Sequence, residues 1–359
     1  MDLTDYFVTL GVRPAELSGL KELPGSTKDR LTPLLLLAPW LATTPLSRAM
    51  DKFQEAYPSR HYFIDVDTCY RANENLNDAK ELWQRLAQSP ADLDAWWELL
   101  ESYPHANPCL LMAEQTIERA RDQIEWAREN NRMFCLRINL AESIGSGIPK
   151  WMETLVRELT TEGANDFVIV IEFGWVENPL VVAAAAIRIA EHLFAKVPDE
   201  VPIAVSYTSF PKNFTKFDGT VELPFTNRDL VAEVQKRTNR RIVYGDWGTT
   251  RPRSYSHASK PKNRIDYPTD TSWVFARDQN ESIKFLEAAD RIVKSEYWSG
   301  NLGIWGEQCI KETAMGQAFA IDSMRKMYAV RINIHLHRQA FHDQLPPPEA
   351  LDEPWHDDL

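Results

Sequence analysis

Two carboxylates two residues apart, Asp65 and Asp67, close the apolar run Phe63-Ile64-Asp65-Val66-Asp67. On a strand that spacing turns both side chains to one face. Carboxylates converging in this way suit a hard cation such as magnesium or manganese, with Asp65 and Asp67 as candidate ligands. They suit general acid/base work equally well, where like-charge crowding raises one pKa. Glu172 and Asp246 end two further apolar runs, so Asp65, Asp67, Glu172 and Asp246 are the candidate catalytic residues. Arg137 and Asn139 share a strand face in the same manner. Tyr207 stands in the polar end of Ile203 to Thr208, and Arg277 ends Trp273 to Arg277. Arginines beside carboxylates suit an anionic substrate, most simply a phosphate. The competing reading is structural: pairs such as Asp65–Arg137 or Glu172–Arg277 would only neutralise buried charge.

A second basic group lies in the stretch Trp247 to Thr271, unusually long for an α/β connection. It holds Arg251, Arg253, Lys260, Lys262 and Arg264, interleaved with Tyr255, His257 and Tyr267. It reads as a lid, as a clamp on a phosphate chain or single strand, or as a solvated loop. Arg251 and Arg253 join Arg137, Asn139, Tyr207 and Arg277 as candidate substrate-binding residues. His335 and His337 alternate with apolar residues, which on a strand would offer two imidazoles to a transition metal. Ser206, Ser209 and Cys309 lack any neighbouring nucleophile motif.

The elements that must position these groups are short continuous apolar runs. Such runs read as strands buried on both faces, the pattern of a parallel sheet covered by helices. Eight are expected, at Leu34–Ala38, Tyr62–Asp67, Cys109–Met112, Met133–Asn139, Phe167–Phe173, Ile203–Thr208, Arg241–Asp246 and Ser272–Arg277. Helices alternate with most of them, and residues 1 to 12 form a lead-in strand. Eight strands and no Gly-rich phosphate loop after the first favour an α/β (β/α)8 TIM-like barrel with a C-terminal helical extension. A doubly wound open parallel sheet is the alternative. The extension comprises a helix from about Glu307 to Ala329 and the alternating segment Arg331 to His337. Residues 1–340 are expected to form one domain, and 341–359 an acidic, Pro-rich disordered tail.

The chain carries a formal charge of −12 and a pI of about 5.3. It is therefore repelled as a whole by nucleic acid and by anionic membrane, so nucleic-acid binding is expected only through the 247–271 loop. The four cysteines lack CxxC spacing, and the amino terminus lacks a basic start and an apolar run. A reduced, cytoplasmic protein is the natural reading.

Several short motifs appear together in order: Leu31-Thr32-Pro33-Leu34-Leu35, then Phe63 to Asp67, then Thr208-Ser209-Phe210-Pro211. Gly245-Asp246-Trp247-Gly248, Ile265-Asp266-Tyr267 before Trp273 and Arg277, and His335-Leu336-His337 follow. Over roughly residues 1 to 340 the chain resembles the phage- and prophage-associated beta protein family. It departs from the family pattern at Trp247, where tyrosine is expected, and at Asp266, where arginine is expected. The resemblance implies phage, prophage or mobile-element biology, anti-phage defence included, and carries no catalytic residues over. Two functions are in view. One is a barrel enzyme acting on a phosphate-containing substrate at the carboxyl-terminal face. The other is a non-catalytic scaffold that binds a phage or host protein.

Overall fold

The computed structural model describes residues 4–41, 45–72, 77–88, 91–112, 116–140, 148–193, 197–254, 261–317, 319–342 and 344. Its first elements are β1 (Tyr6–Gly11), α1 (Pro14–Lys21), α2 (Gly25–Lys28), β2 (Leu31–Leu37) and α3 (Ser47–Ala56). Next come β3 (Tyr62–Val66), α4 (Asp78–Ala87), α5 (Leu93–Glu101), β4 (Ala106–Pro108) and α6 (Ile117–Glu129). The middle of the chain gives β5 (Phe134–Asn139), α7 (Lys150–Thr161), β6 (Phe167–Trp175) and α8 (Pro179–Leu193). It continues with β7 (Ile203–Thr208), β8 (Gly219–Pro224), α9 (Asn227–Thr238) and β9 (Ile242–Asp246). Last are β10 (Ile265–Pro268), β11 (Ser272–Arg277), α10 (Phe285–Val293), α11 (Trp305–Ala314) and α12 (Met324–Ala340).

Eight parallel strands form one curved sheet in the order β4-β3-β2-β1-β9-β7-β6-β5. A parallel bridge between Cys109 and Cys135 joins its two ends, supported by Leu110 N–H donating to the Cys135 carbonyl at 3.0 Å. The sheet is thus a nearly closed barrel-shaped (β/α)8 fold. Strand parity divides its side chains. Phe7, Leu34, Leu36, Phe63, Cys135, Val168, Val170, Ala204 and Val243 pack together inside. Tyr6, Val8, Leu10, Leu35, Ile64, Leu136, Ile169 and Tyr244 pack outward against the helices. Truncating an interior aromatic such as Phe7 to alanine would cost about 3–5 kcal/mol through the cavity left behind.

Barrel membership differs from the expectation at both ends of the chain. The lead-in segment is β1, wholly buried and paired with both β2 and β9. Ser272–Arg277 is no barrel strand: as β11 it lies at the centre of a three-stranded antiparallel sheet, β10-β11-β8. An isolated apolar run does not reveal its partners, and here the register with β8 and β10 decided them. One face of this small sheet packs on α10, α11 and part of α12 through Ile265, Tyr267, Val274 and Ala276. The other carries Trp273 and Phe275, which gather Phe210, Phe217 and Phe225.

The carboxyl-terminal helix also departs from expectation. α11 ends before Gly316, whose φ of +82° is the left-handed conformation that stops a helix. α12 then starts at Ser323, whose side chain accepts from Lys326 N–H, and it runs through the segment taken for an alternating strand. Nearly every residue from Lys326 to Ala340 is buried. A helix buried all round shows no amphipathic period, which is why its sequence misleads. α12 serves as the eighth helix of the barrel, between α9 and α1. Arg228 of α9 donates to Gln339 at 2.7 Å, and a Cβ on Gly19 of α1 would lie 2.7 Å from the Ala329 carbonyl oxygen. Among the described residues no helix is long and apolar enough to cross a membrane. The tail 345–359, Tyr255, His257 and Lys260 lie outside the described residues.

Candidate functional site

Strand parity also sorts the candidate acids. Asp65 on β3 and Glu172 on β6 face the barrel interior, with Arg137 of β5 between them. Arg137 Nη1 donates to Asp65 Oδ2 at 2.9 Å. Glu172 accepts from Thr9 Oγ1 at 3.2 Å, Trp247 Nε1 at 2.9 Å and Gly174 N–H at 2.6 Å. Burial pushes the Glu172 carboxyl above its ordinary range, against the pull of Arg137. Burial acts on the Arg137 guanidinium in the opposite sense, but Asp65 and Glu172 outweigh it and hold that pKa up. Asp67, just past β3, accepts from Arg253 Nε at 2.6 Å and from Cys69 N–H at 3.1 Å. Each of these three carboxylates therefore already has a fixed donor.

Asp246 is elsewhere. It shares parity with Tyr244 and points outward into the layer beneath α12. There it accepts from Tyr6 Oη at 2.6 Å, Tyr244 Oη at 2.8 Å and Gly248 N–H at 2.8 Å, and it meets His335 Nε2 at 2.7 Å. Burial opposes its ionisation, but His335 and the hydroxyl donors hold it below the usual carboxylate range. The four acids thus fall into an interior set and an exterior one, and do not form a single ring. Tyr207 also faces outward, its hydroxyl donating to the Asn227 carbonyl at 3.2 Å. Asn139 ends β5 exposed.

His335 and His337 do not act as a pair. Two residues apart on a helix they diverge: His335 meets Asp246, whereas His337 Nδ1 meets Thr27 Oγ1 at 2.9 Å. Burial, with Arg338 alongside, lowers the His337 pKa to about 4, so its ring is neutral at neutral pH. Among the described residues no group of three or more His, Cys, Asp or Glu side chains could hold a metal ion. Asp65 and Asp67 are engaged by arginines, so the donor set does not fit a dedicated magnesium or manganese centre.

The remaining candidates, Arg251, Arg253 and Arg277, meet in an open cavity of about 740 Å³. It sits at the carboxyl-terminal mouth of the barrel, where the loops after β1, β7 and β9 face the small sheet and α12. Arg13 comes from the first of these loops and Lys212 from the second. Arg251, Arg253, Lys262 and Arg264 come from the third, Arg277 from β11 and Arg331 from α12. Phe210, Phe214 and Tyr328 supply apolar wall. The β9 loop is shaped by two successive left-handed residues, Gly248 at φ +52° and Thr249 at φ +66°. For a β-branched residue that conformation is strained, and such strain concentrates at functional sites.

The cavity's charge is unbalanced. Glu16 takes Arg13 at 2.6 Å and Asp67 takes Arg253 at 2.6 Å. Asp266 is shared by Arg264 at 2.7 Å and Arg331 at 2.6 Å. Among the described residues, eight lining cations thus meet three ion-paired carboxylates, an excess of five over those pairs in a chain whose formal charge is −12. Lys212 rests its ammonium 3.4 Å from the Trp175 ring centre, and Lys262 donates only to the carbonyls of Gln279 and Asn280. Arg277 is 4% exposed, and its Nη1 has no hydrogen-bond partner among the described residues. Burial lowers the pKa of Arg251, reinforced by Arg331, Arg13 and Arg264. Burial lowers that of Arg277 too, with Arg264 adding to it against Asp218, Asp266 and Asp278.

Sequence reasoning missed Arg13, Lys212 and Arg331 as members of this site. Arg13 and Lys212 were legible as cations just past apolar runs, once the first run counted as a barrel strand. Arg331 was hidden by the misread helix. Arg264 and Arg277 were both visible as cations, but their placement opposite each other across the small sheet was not.

The chain is 25% identical over 346 residues to "Protein beta" of Enterobacteria phage P4, covering 93% of this chain and 92% of that protein. Among solved structures, 3-dehydroquinate dehydratase from Enterococcus faecalis aligns with 58% of this chain and 81% of its own, at 12% identity and a TM-score of 0.31. The family model described as Beta protein matches residues 6–341, and the chain belongs to that family.

Proposed function

We propose that this barrel binds a phosphate-bearing ligand in the cavity at its carboxyl-terminal mouth, and that the ligand is its substrate. The observation that carries this reading is the excess of positive charge there: among the described residues, eight lining cations against three ion-paired carboxylates, with buried Arg277 Nη1 unpartnered. Like charges crowded together repel one another, and an anion between them relieves that cost. Arginine suits the task because its planar fork matches phosphate oxygens two at a time. The mouth of a (β/α)8 barrel is also where such folds carry their chemistry.

Within this reading the interior acids leave the catalytic role, because none of Asp65, Asp67 and Glu172 lines the cavity. Glu16 is the carboxylate that lines the cavity, and burial raises its pKa despite Arg13 and the Gly11 N–H. A carboxyl with that shift is suited to hold or release a proton beside a bound anion. The setting in phage biology rests on the phage P4 relative, and a part in anti-phage defence is a further proposal within it.

The test is calorimetric titration of the full chain with inorganic phosphate, alongside Arg251→Ala and Arg277→Ala. Binding that weakens at least tenfold in each variant is expected. Wild-type binding that both variants retain would place the anion elsewhere and overturn the proposal.

A second reading has an observation of its own. The pairing of Asp65 with Arg137 and of Asp67 with Arg253 is what a rigid scaffold for a phage or host protein partner would show. Such a scaffold would use the cavity mouth as a docking surface for acidic side chains. Phosphate binding that leaves partner capture unchanged would count against it.

A further inference from the structure

We infer that the ligand of this cavity is a linear chain of linked phosphates, carried either on a nucleotide or free. This rests on the anion-binding reading above and names its ligand class.

The first argument is charge. A terminal phosphate carries about −1.5 to −2 near neutral pH, far short of an excess of five positive charges. Each further phosphate in a chain adds its own negative charge. The cavity's volume of about 740 Å³ also falls inside the roughly 300–1,000 Å³ typical of small-molecule sites and exceeds what one phosphate fills.

The second argument is arrangement. The cations are spread over several walls of the cavity, with Arg251 in the field of four of them. Lys212 feels Arg251, Arg251 feels Arg331, Arg13 and Arg264, and Arg277 feels Arg264. They rise from separate walls of the cavity: the β7 loop, the β9 loop, β11 and α12. A single phosphate can engage two or three guanidinium groups at one position. The cations here exceed that number and rise from separate walls, and a chain of phosphates places successive anionic centres among them.

The third argument is independent of the cavity's outline. β10 pairs antiparallel with β11, with Ile265 opposite Ala276. One step on, the register sets Arg264 opposite Arg277 on the sheet face that looks toward the barrel. Like charges directly opposite across a sheet are destabilising. Asp266 is already shared by Arg264 and Arg331, which leaves Asp218 and Asp278 as the other carboxylates acting on Arg277. Arg264 lies flat over Phe214, its guanidinium carbon 3.8 Å from the ring centre, which fixes it beside the gap. An oligophosphate end lying between Arg264 and Arg277 would satisfy Arg277 Nη1 and offset the repulsion.

The experiment is calorimetry on the full chain at fixed ionic strength. The probes are orthophosphate, pyrophosphate, tripolyphosphate and adenosine triphosphate. Affinity is expected to rise at least tenfold from orthophosphate to tripolyphosphate. Arg277→Gln and Lys212→Gln, on different walls of the cavity, should each remove most of that gain. Melting curves establish that both variants fold, and the solvent-exposed Lys294→Ala serves as a control that keeps the gain. A nucleoside triphosphate that binds tighter than tripolyphosphate supports the proposal with a nucleotide as the source. Equal affinities support it with a free phosphate chain. Tripolyphosphate binding no tighter than orthophosphate, while orthophosphate binding still depends on Arg251, overturns the chain and leaves the anion site standing. A single-stranded oligonucleotide that binds without competition from tripolyphosphate also overturns it. No binding of any of these anions overturns both readings.

Discussion

The barrel interior and the cavity above it hold charge under opposite rules. Inside, Arg137 stands between Asp65 and Glu172, and the carboxylate oxygens that Arg137 does not reach are met by Thr9, Trp247 and backbone N–H groups. A few residues away, among the described residues, lining cations outnumber the carboxylates ion-paired with them by five, in a solvent-open space. Burying a charge is costly unless it is paired and hydrogen-bonded. The interior comes close to that condition from its own sequence, with Arg137 Nε left without a hydrogen-bond partner among the described residues. The cavity is further from charge balance, and a fold keeps such an excess where a ligand completes it. A nearly balanced network therefore reads as structural, and an unbalanced one reads as a site.

The strongest way to break this comparison is to unbalance the interior. Arg137→Met leaves Asp65 and Glu172 buried with no cation between them. Removing one partner of a buried pair costs about 3–5 kcal/mol. The expected result is a large fall in the urea midpoint, with phosphate binding per folded molecule unchanged. A stable Arg137→Met protein that no longer binds phosphate would reverse the roles assigned to the two regions.

Asp246 gives a second self-contained network, on the outer face of β9. Asp246→Asn keeps the shape but weakens the acceptor for Tyr6, Tyr244 and His335, at a cost of about 1–3 kcal/mol near neutral pH. The sign with pH follows from its lowered pKa. Stability supplied by its ionised form is present above the ordinary carboxylate value and is lost as pH falls through the folded value. The difference between wild type and variant, followed by chemical denaturation, should shrink in acid. A difference that grows in acid would mean that the ionised form is not what these partners hold.

The cavity predicts the reverse of both. Arg277→Ala removes a cation that lies opposite Arg264, so the ligand-free protein should melt at the same temperature or higher. The gain is about 0.2–1 kcal/mol, the range for a like-charged cross-strand pair. Added phosphate should stabilise the wild type by mass action and the variant much less. A variant that melts well below wild type in the absence of phosphate would show that Arg277 is part of the structural frame.

Much of this was legible in the sequence. Continuous apolar runs such as Val168 to Ile171 are what a strand covered on both faces requires, and eight of them pointed to closure. Parity along a strand was legible too, since Asp65 and Arg137 were a nameable ion pair from their positions. Partnership was not legible. β1 and β11 have similar burial, yet one joins the barrel and the other a separate sheet, because pairing is set by contacts far apart in sequence. α12 was invisible as a helix because burial on every side erased its period. With it went Arg331 and the outward partner of Asp246. The cavity depends on all three, since its cations come from loops after β1, β7 and β9, from β11 and from α12. A site built by convergence of distant segments leaves only scattered arginines in the chain.

The smallest expected effect tests how finely the interior is balanced. Glu172 is buried, and burial raises its pKa against Arg137 and its hydrogen-bond donors. For a raised carboxyl, the stability tied to the protonated form is fully present below the ordinary carboxylate pKa. It is lost as pH rises through the folded value. Glu172→Gln is neutral throughout and keeps an oxygen for Gly174 N–H and Trp247. The variant should therefore match the wild type in acid and equal or slightly exceed it near neutral pH, by less than about 1 kcal/mol per network hydrogen bond retained. Denaturation midpoints for both proteins from about pH 4 to pH 7 read this directly. A variant that falls progressively behind the wild type as pH rises would mean that Arg137 requires both carboxylates ionised. The interior would then carry a firmer ion triad, and the contrast with the cavity would be sharper still.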